Sequence, residues 1–154
     1  MDFFMDKLVV FTLDNQQYGM NSYYIKRIIR AVEVTPLPYF PSYFLGIINI
    51  HGEAVPVINI RHWLGLPSLP IDICHYFIIS SLGEYVVTFV IDNILDVINY
   101  DPADIAMQDK EKQTEICHQI LKMPDGFIVL LNPDRLLREE DKKFLFHEIT
   151  EKII

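Results

Sequence analysis

Apolar residues occur along most of this chain in short alternating or continuous blocks, separated by turn-forming residues. Residues 8–13 are β-branched and aromatic, residues 14–17 are polar, and apolar character resumes at Tyr18-Gly19-Met20, a pattern that predicts a hairpin. Residues 22–31 are ambiguous. Tyr24, Ile25, Ile28 and Ile29 fit helical spacing, while the β-branched content favours a strand; we read a short helical turn over 22–25 and then a strand. Pro36, Pro38 and Pro41 make 34–41 an extended surface connection. Residues 46–50 and 54–60 read as strands around His51-Gly52-Glu53, apolar enough for burial on both faces, with Pro56 at an edge or bulge. A turn-rich connection follows over 64–70.

Residues 76–80 and 85–91 flank Leu82-Gly83-Glu84 as a second hairpin, and 94–100 alternate as another strand. Residues 101–115 are polar and irregular, with a short helical turn after Asp101-Pro102. Residues 116–123 and 127–131 flank Pro124-Asp125-Gly126, where glycine is free to take a positive φ. Asn132-Pro133 reads as an N-cap with proline in the first helical position. Leu136, Leu137, Phe144, Leu145 and Ile149 then share one helical face, and Glu139 is spaced to pair with Lys143. The total is eight or nine short strands and one C-terminal helix, which indicates barrels or a sandwich.

Composition narrows the function. Hydrophobic residues are 51% and charged residues 22%, which excludes a disordered chain. A chain of 154 residues buries roughly 68–70% of its unfolded surface and needs no metal or disulfide for a core. Thirteen Lys and Arg against twenty-one Asp and Glu give a net charge of −8, which disfavours nucleic acid and anionic membrane surfaces. The first residues do not read as a signal peptide, and no apolar run is long enough to span a membrane. These features predict a cytoplasmic protein with reduced thiols and no direct membrane insertion.

Candidate chemistry is sparse. There is no phosphate loop, dinucleotide fingerprint or nucleophile elbow, and the six glycines stand singly near turns. Cys74-His75 and Cys117-His118 are both Cys-His dipeptides. On a strand, adjacent side chains face opposite sides, which favours a buried Cys beside an exposed His over a metal site. Asp92 and Asp96 lie among apolar strand residues and read as solvent-facing positions rather than a catalytic pair. Cys74 and Ser80 have no base at a recognisable spacing. A binding module without cofactor is favoured over an enzyme.

Several spaced positions resemble the CheW family of chemotaxis coupling proteins. They are residues 8–13, Tyr18-Gly19-Met20, Ile25 with Ile28-Ile29-Arg30, Val34-Thr35 before Pro38, Pro41, the long run 46–61, the hairpin over 86–97 and the segment 127–137. The resemblance implies a mostly β fold of two packed SH3-like five-stranded β-barrels with a C-terminal α-helix. It spans 1–154 as a single CheW-like domain of two lobes, with a boundary near 62–72 and terminal strands exchangeable between lobes. It implies a non-catalytic adaptor recruited to receptor arrays at the inner face of the membrane. Its partners would be the cytoplasmic tip of a methyl-accepting chemoreceptor and the regulatory domain of a CheA-type histidine kinase.

The candidate receptor-binding residues are Ile25, Arg27, Ile28, Gly46, Asn49, His51 and Gly52; no charged motif marks kinase-binding residues. Gly46 and Gly52 are expected to be required by shape. Ile25 and Ile28 belong either to an exposed apolar patch or to a barrel core. The chain departs from the family pattern at four positions. Arg27 replaces a Glu and His51 an Arg, while Asn21 and Asn59 each replace an Asp. The first two open two readings, a rewired partner preference or drift on an exposed surface. The alternative function is a divergent CheW-like module serving another CheA-type pathway with weak or no chemoreceptor binding.

Overall fold

The computed structural model describes residues 6–107 and 119–153. It contains β1 (Asp6–Leu13), β2 (Gln16–Asn21), a 3-10 turn (Ser22–Tyr24), β3 (Ile25–Arg30), β4 (Phe44–Ile50), β5 (Glu53–Ile58) and α1 (Arg61–Leu64). Then follow β6 (Tyr76–Leu82), β7 (Tyr85–Ile91), β8 (Asn93–Tyr100), a 3-10 turn (Pro102–Asp104), β9 (Ile105–Met107), β10 (Gln119–Met123), β11 (Gly126–Leu130), α2 (Pro133–Leu136) and α3 (Glu139–Lys152).

The strands form two sheets, ordered β8-β1-β2-β11-β10-β9 and β3-β6-β7-β5-β4. The first is six-stranded because β9, hidden in sequence by its shortness and polar surroundings, pairs with β10. The pairing pattern is otherwise the same in both. An edge strand joins a hairpin (β8 on β1-β2; β3 on β6-β7), and the hairpin's second strand runs parallel to a second hairpin through β2-β11 or β7-β5. The first sheet is built from both ends of the chain, the second from the middle. Residues 62–72 therefore join β5 to β6 within one sheet, and the chain passes between sheets at Ser22–Tyr24 and Asp92.

Each sheet curls around its own small cluster and turns its other face to a shared core. Along β1, Leu8 and Val10 enter the first lobe's cluster with Tyr100, Leu121, Ile128 and Leu130, while Phe11 and Leu13 enter the shared core. On β6, Phe77 joins Ile48, Val55 and Val57 inside the second lobe, and Ile78 faces the shared core. This two-sided burial is the origin of the continuous apolar runs. Pro56 lies on β5, an inner strand, but pairing with β7 begins only at Val57, so its missing donor costs no ladder bond on that side.

The C-terminal segment is two helices rather than one. Asn132 caps α2 by accepting from the Asp134 N–H at 3.0 Å. The helix then stops at Leu137, and Glu139-Glu140-Asp141 starts α3, with the Asp141 carboxylate accepting from the Arg138 N–H at 3.3 Å. Leu136, Leu137, Leu145 and Ile149 are buried, but Phe144 is 43% exposed. Glu139 pairs with Lys142 at 3.3 Å, not with Lys143; Lys142 also reaches Asp134 at 3.2 Å, tying α3 to α2.

Candidate functional site

β3 and β4 are opposite edges of the second sheet, yet its curl brings them together. Arg27 on β3 places Nη1 3.4 Å from Nε2 of His51, which lies in the β4-β5 turn. A bulge in β3 shapes this seam. Ile25 pairs with Ser80 and Arg27 with Ile79, leaving Lys26 unpaired between them. The extra residue keeps Ile25 and Ile28 on one face, half-buried against the shared core, despite their three-residue spacing. They do not form an exposed patch. It also leaves Lys26 and Arg27 together at the mouth of the curled sheet. That mouth is a cleft of about 220 Å³ with Ile50, Val55, Ile79 and Val86 below and Lys26, Arg27, His51 and Glu53 around it.

The β4-β5 turn is shaped by two positive φ angles, 52° at His51 and 87° at Gly52, between paired Ile50 and Glu53. This matches a type I′ hairpin. Asn49 Oδ1 accepts from the Gly52 N–H at 2.7 Å and locks the turn. Asn49 and Gly52 line a second cleft of about 490 Å³ with Thr35, Ile47, Ala54 and Ile153. Gly46 serves a different need. The proline-rich connection crosses β4 there, with reciprocal Thr35–Ile47 backbone bonds of 2.9 Å. A Cβ on Gly46 would sit 2.4 Å from the Thr35 carbonyl oxygen, and its φ is 144°. Both glycines are needed by shape, Gly46 for space and φ, Gly52 for φ alone.

The other candidate chemistry resolves into structural roles. Asp92 is not a free solvent-facing carboxylate. Its oxygens accept from Arg61 Nη2 at 2.8 and 2.9 Å, and the same nitrogen lies 2.8 Å from Asp14 Oδ1. Asp14 also donates its N–H to Asp92 at 2.9 Å. Asp14 belongs to the first sheet's β1-β2 turn, so this network ties Arg61 of the second lobe to the first. Those carboxylates hold the Arg61 pKa above its ordinary value against the opposing effect of burial. Asp96 lies elsewhere, exposed, accepting from the Val97 N–H at 2.8 Å.

Cys74 is exposed, not buried, and sits in a turn before β6, while His75 is the more sheltered of the two. Cys117-His118 lie outside the described residues. Asn21 caps the 3-10 turn through Oδ1 and donates to the Tyr100 hydroxyl at 3.0 Å. Asn59 accepts from the Arg61 N–H at 3.2 Å and donates to Ser68 Oγ at 3.1 Å. In both, the amide supplies a donor that an ionised aspartate lacks.

Two further surfaces carry no motif in the sequence. On the first lobe, a cleft of about 400 Å³ is lined by Leu95, Ile98, Met123 and Phe127, with Phe127 60% exposed. On the second, a cleft of about 550 Å³ is lined by Val32, Leu45, Leu69, Ile71 and Ile73, with Ile73 83% exposed. Apolar exposure of this kind, gathered around clefts, marks interaction surfaces rather than reaction centres.

A family model described as the CheW-like domain matches residues 7–141. The chain belongs to the CheW-like domain family. The chemotaxis protein CheW of Bacillus subtilis is 26% identical over 90% of this chain and 90% of its own length, and that of Rhizobium meliloti is 22% identical over 89% and 90%. The scaffolding protein TtCheW from Thermoanaerobacter tengcongensis superposes with a TM-score of 0.74 at 25% identity, covering 82% of this chain and 88% of that one. The mostly β, two-lobed architecture with a C-terminal helix is thus the CheW fold. Among the described residues of this CheW-like domain, no helix is long and apolar enough to cross a membrane.

Proposed function

We propose that this CheW-like domain is a non-catalytic adaptor that couples chemoreceptors to a CheA-type histidine kinase, recruited to receptor arrays from the cytoplasm. The observation that carries the reading is the pair of exposed apolar clefts, one on each lobe, around Phe127 and around Ile73. An adaptor must hold two partners at once. Two apolar docking surfaces, together with a separate polar seam at Arg27, Asn49 and His51, meet that requirement. In this reading the kinase regulatory domain takes one or both apolar clefts. The receptor tip takes the seam, with Gly46 and Gly52 fixing the shape of β4 and its turn, and Ile25 and Ile28 supporting β3 from behind.

The test is titration of the full chain with a CheA-type regulatory domain and, separately, with a soluble chemoreceptor-tip fragment. Phe127→Ser and Ile73→Ser remove exposed anchors. At least one of them should weaken kinase binding about tenfold or more with an unchanged urea midpoint. Binding to neither partner defeats the adaptor reading. Kinase binding without receptor binding selects the divergent module of another CheA-type pathway, which the cationic Arg27 side chain favours.

A further inference from the structure

We propose that the mouth of the second sheet receives an acidic side chain from a protein partner, a glutamate or aspartate followed by an aliphatic residue. This rests on the adaptor reading and specifies the chemistry of one partner at the seam. In a regular strand, neighbouring side chains face opposite sides. The bulge at Lys26 overrides this, so two consecutive cations line one cleft. Among the described residues, neither Lys26 nor Arg27 has a carboxylate within ion-pairing distance, whereas Arg61 and Lys142 each have two. Glu53 lines the same cleft, so the two cations leave a local excess of positive charge in a chain of net charge −8.

His51 sets the direction. A guanidinium only donates, and Arg27 Nη1 lies 3.4 Å from Nε2 of His51. Arg27 is thereby held across the mouth with further donors unspent. Below the cations, Ile50, Val55, Ile79 and Val86 form an apolar floor. A cleft of about 220 Å³ is smaller than the roughly 300–1,000 Å³ typical of small-molecule sites and suits one or two side chains. Cations over an apolar floor match a carboxylate on a short aliphatic stem beside an aliphatic neighbour. The overall charge repels nucleic acid and anionic lipid.

The probe is a synthetic helical peptide with an exposed Glu-Leu pair, and a twin carrying Lys-Leu. We expect the first to shift the amide resonances of Arg27, Ile50 and His51 in the full chain, and to bind less tightly as salt rises. Arg27→Glu should weaken it about tenfold and reverse the preference towards the lysine twin, with Lys26→Glu acting in the same direction. Both variants are checked by urea midpoint, and either one folded suffices. Four results would overturn the proposal: no binding at millimolar peptide, shifts centred elsewhere, an affinity indifferent to both substitutions, or acetate alone reproducing the shifts at equal concentration. Tighter binding of DNA or of phosphatidylglycerol vesicles would also defeat it. Each variant is also titrated with the kinase regulatory domain. Retained kinase binding beside a failed peptide test leaves the adaptor reading intact, whereas failure of both removes the two together.

Discussion

Removing the Arg61 guanidinium should be among the most damaging single changes in this chain. Its side chain is 6% exposed, and one nitrogen lies 2.8 Å from a carboxylate oxygen of both Asp14 and Asp92. The other nitrogen donates to the Pro67 carbonyl at 3.1 Å. At an effective dielectric near 20, each ion pair at this distance contributes about 6 kcal/mol of Coulomb energy. Most of that is offset by desolvating the guanidinium, and the partners keep some water, with side-chain exposures of 39% and 26%. What decides the outcome is the state left behind. Arg61→Met leaves two neighbouring carboxylates and a carbonyl facing each other without a cation, a situation that costs about 3 kcal/mol, between surface and fully buried cases. Equilibrium unfolding in urea measures it. The midpoint should fall, and Asp92→Asn in the Arg61→Met background should recover part of the loss. A cost under about 1 kcal/mol, or no coupling in the double-mutant cycle, would refute the argument and reduce the network to an ordinary surface bridge.

The two glycines of β4 and its turn should separate cleanly. Gly46→Ala must displace the Thr35 backbone and should cost about 3 kcal/mol, whereas Gly52→Ala meets no heavy atom within 4 Å and should cost only about 1 kcal/mol for its φ of 87°; equal losses of melting stability would contradict this. Burial, reinforced by Asp141 at 3.2 Å, pushes the Tyr43 pKa up to about 12. A folded value above the unfolded one of about 10 means stability is fully present below pH 10 and declines as pH rises towards 12. Tyr43→Phe should flatten that alkaline decline in urea midpoints, and an unchanged slope would count against the assignment.

Much of this fold was legible because alternation and turn chemistry are local. Two of the hairpins sit where polar or glycine-containing turns interrupt apolar runs, and the 3-10 turn before β3 falls where helical and strand signals overlap. What escaped was non-local or short. The parallel pairings of β2 with β11 and of β5 with β7 join residues far apart in sequence, and no local pattern announces them. The start of α3 did carry a signal, three consecutive acids at Glu139-Glu140-Asp141, but Leu136, Leu137, Phe144, Leu145 and Ile149 share one helical face across it and read as one continuous helix. At the seam, only the family resemblance groups Arg27 with His51, as candidate receptor-binding residues. Their adjacency depends on the curl of a sheet whose edges they occupy. The two apolar clefts escaped because exposed Phe127 and Ile73 look in sequence like any strand or loop hydrophobe.

The repeated pairing pattern bears on how such an adaptor works. The two sheets share one order of edge strand, hairpin, parallel contact and second hairpin, yet they present different surfaces. The first offers Leu95, Met123 and Phe127, the second Leu69 and Ile73, and only the second carries the Lys26–Arg27 bulge at its mouth. One architecture used twice thus supplies non-equivalent surfaces, and in the proposed function these would serve as docking faces for different partners. Their mutual orientation is held by the shared core and by Arg61, which grips one carboxylate from the first sheet's turn and one from the crossing between sheets. In the proposed function, packing between the lobes would fix a partner seated on one relative to a partner seated on the other. If that is so, Arg61→Met should damage the joint complex with kinase and receptor fragments more than it damages either pairwise complex, because only the joint complex depends on the angle between lobes. Equal losses in all three titrations would show that the angle carries no such role.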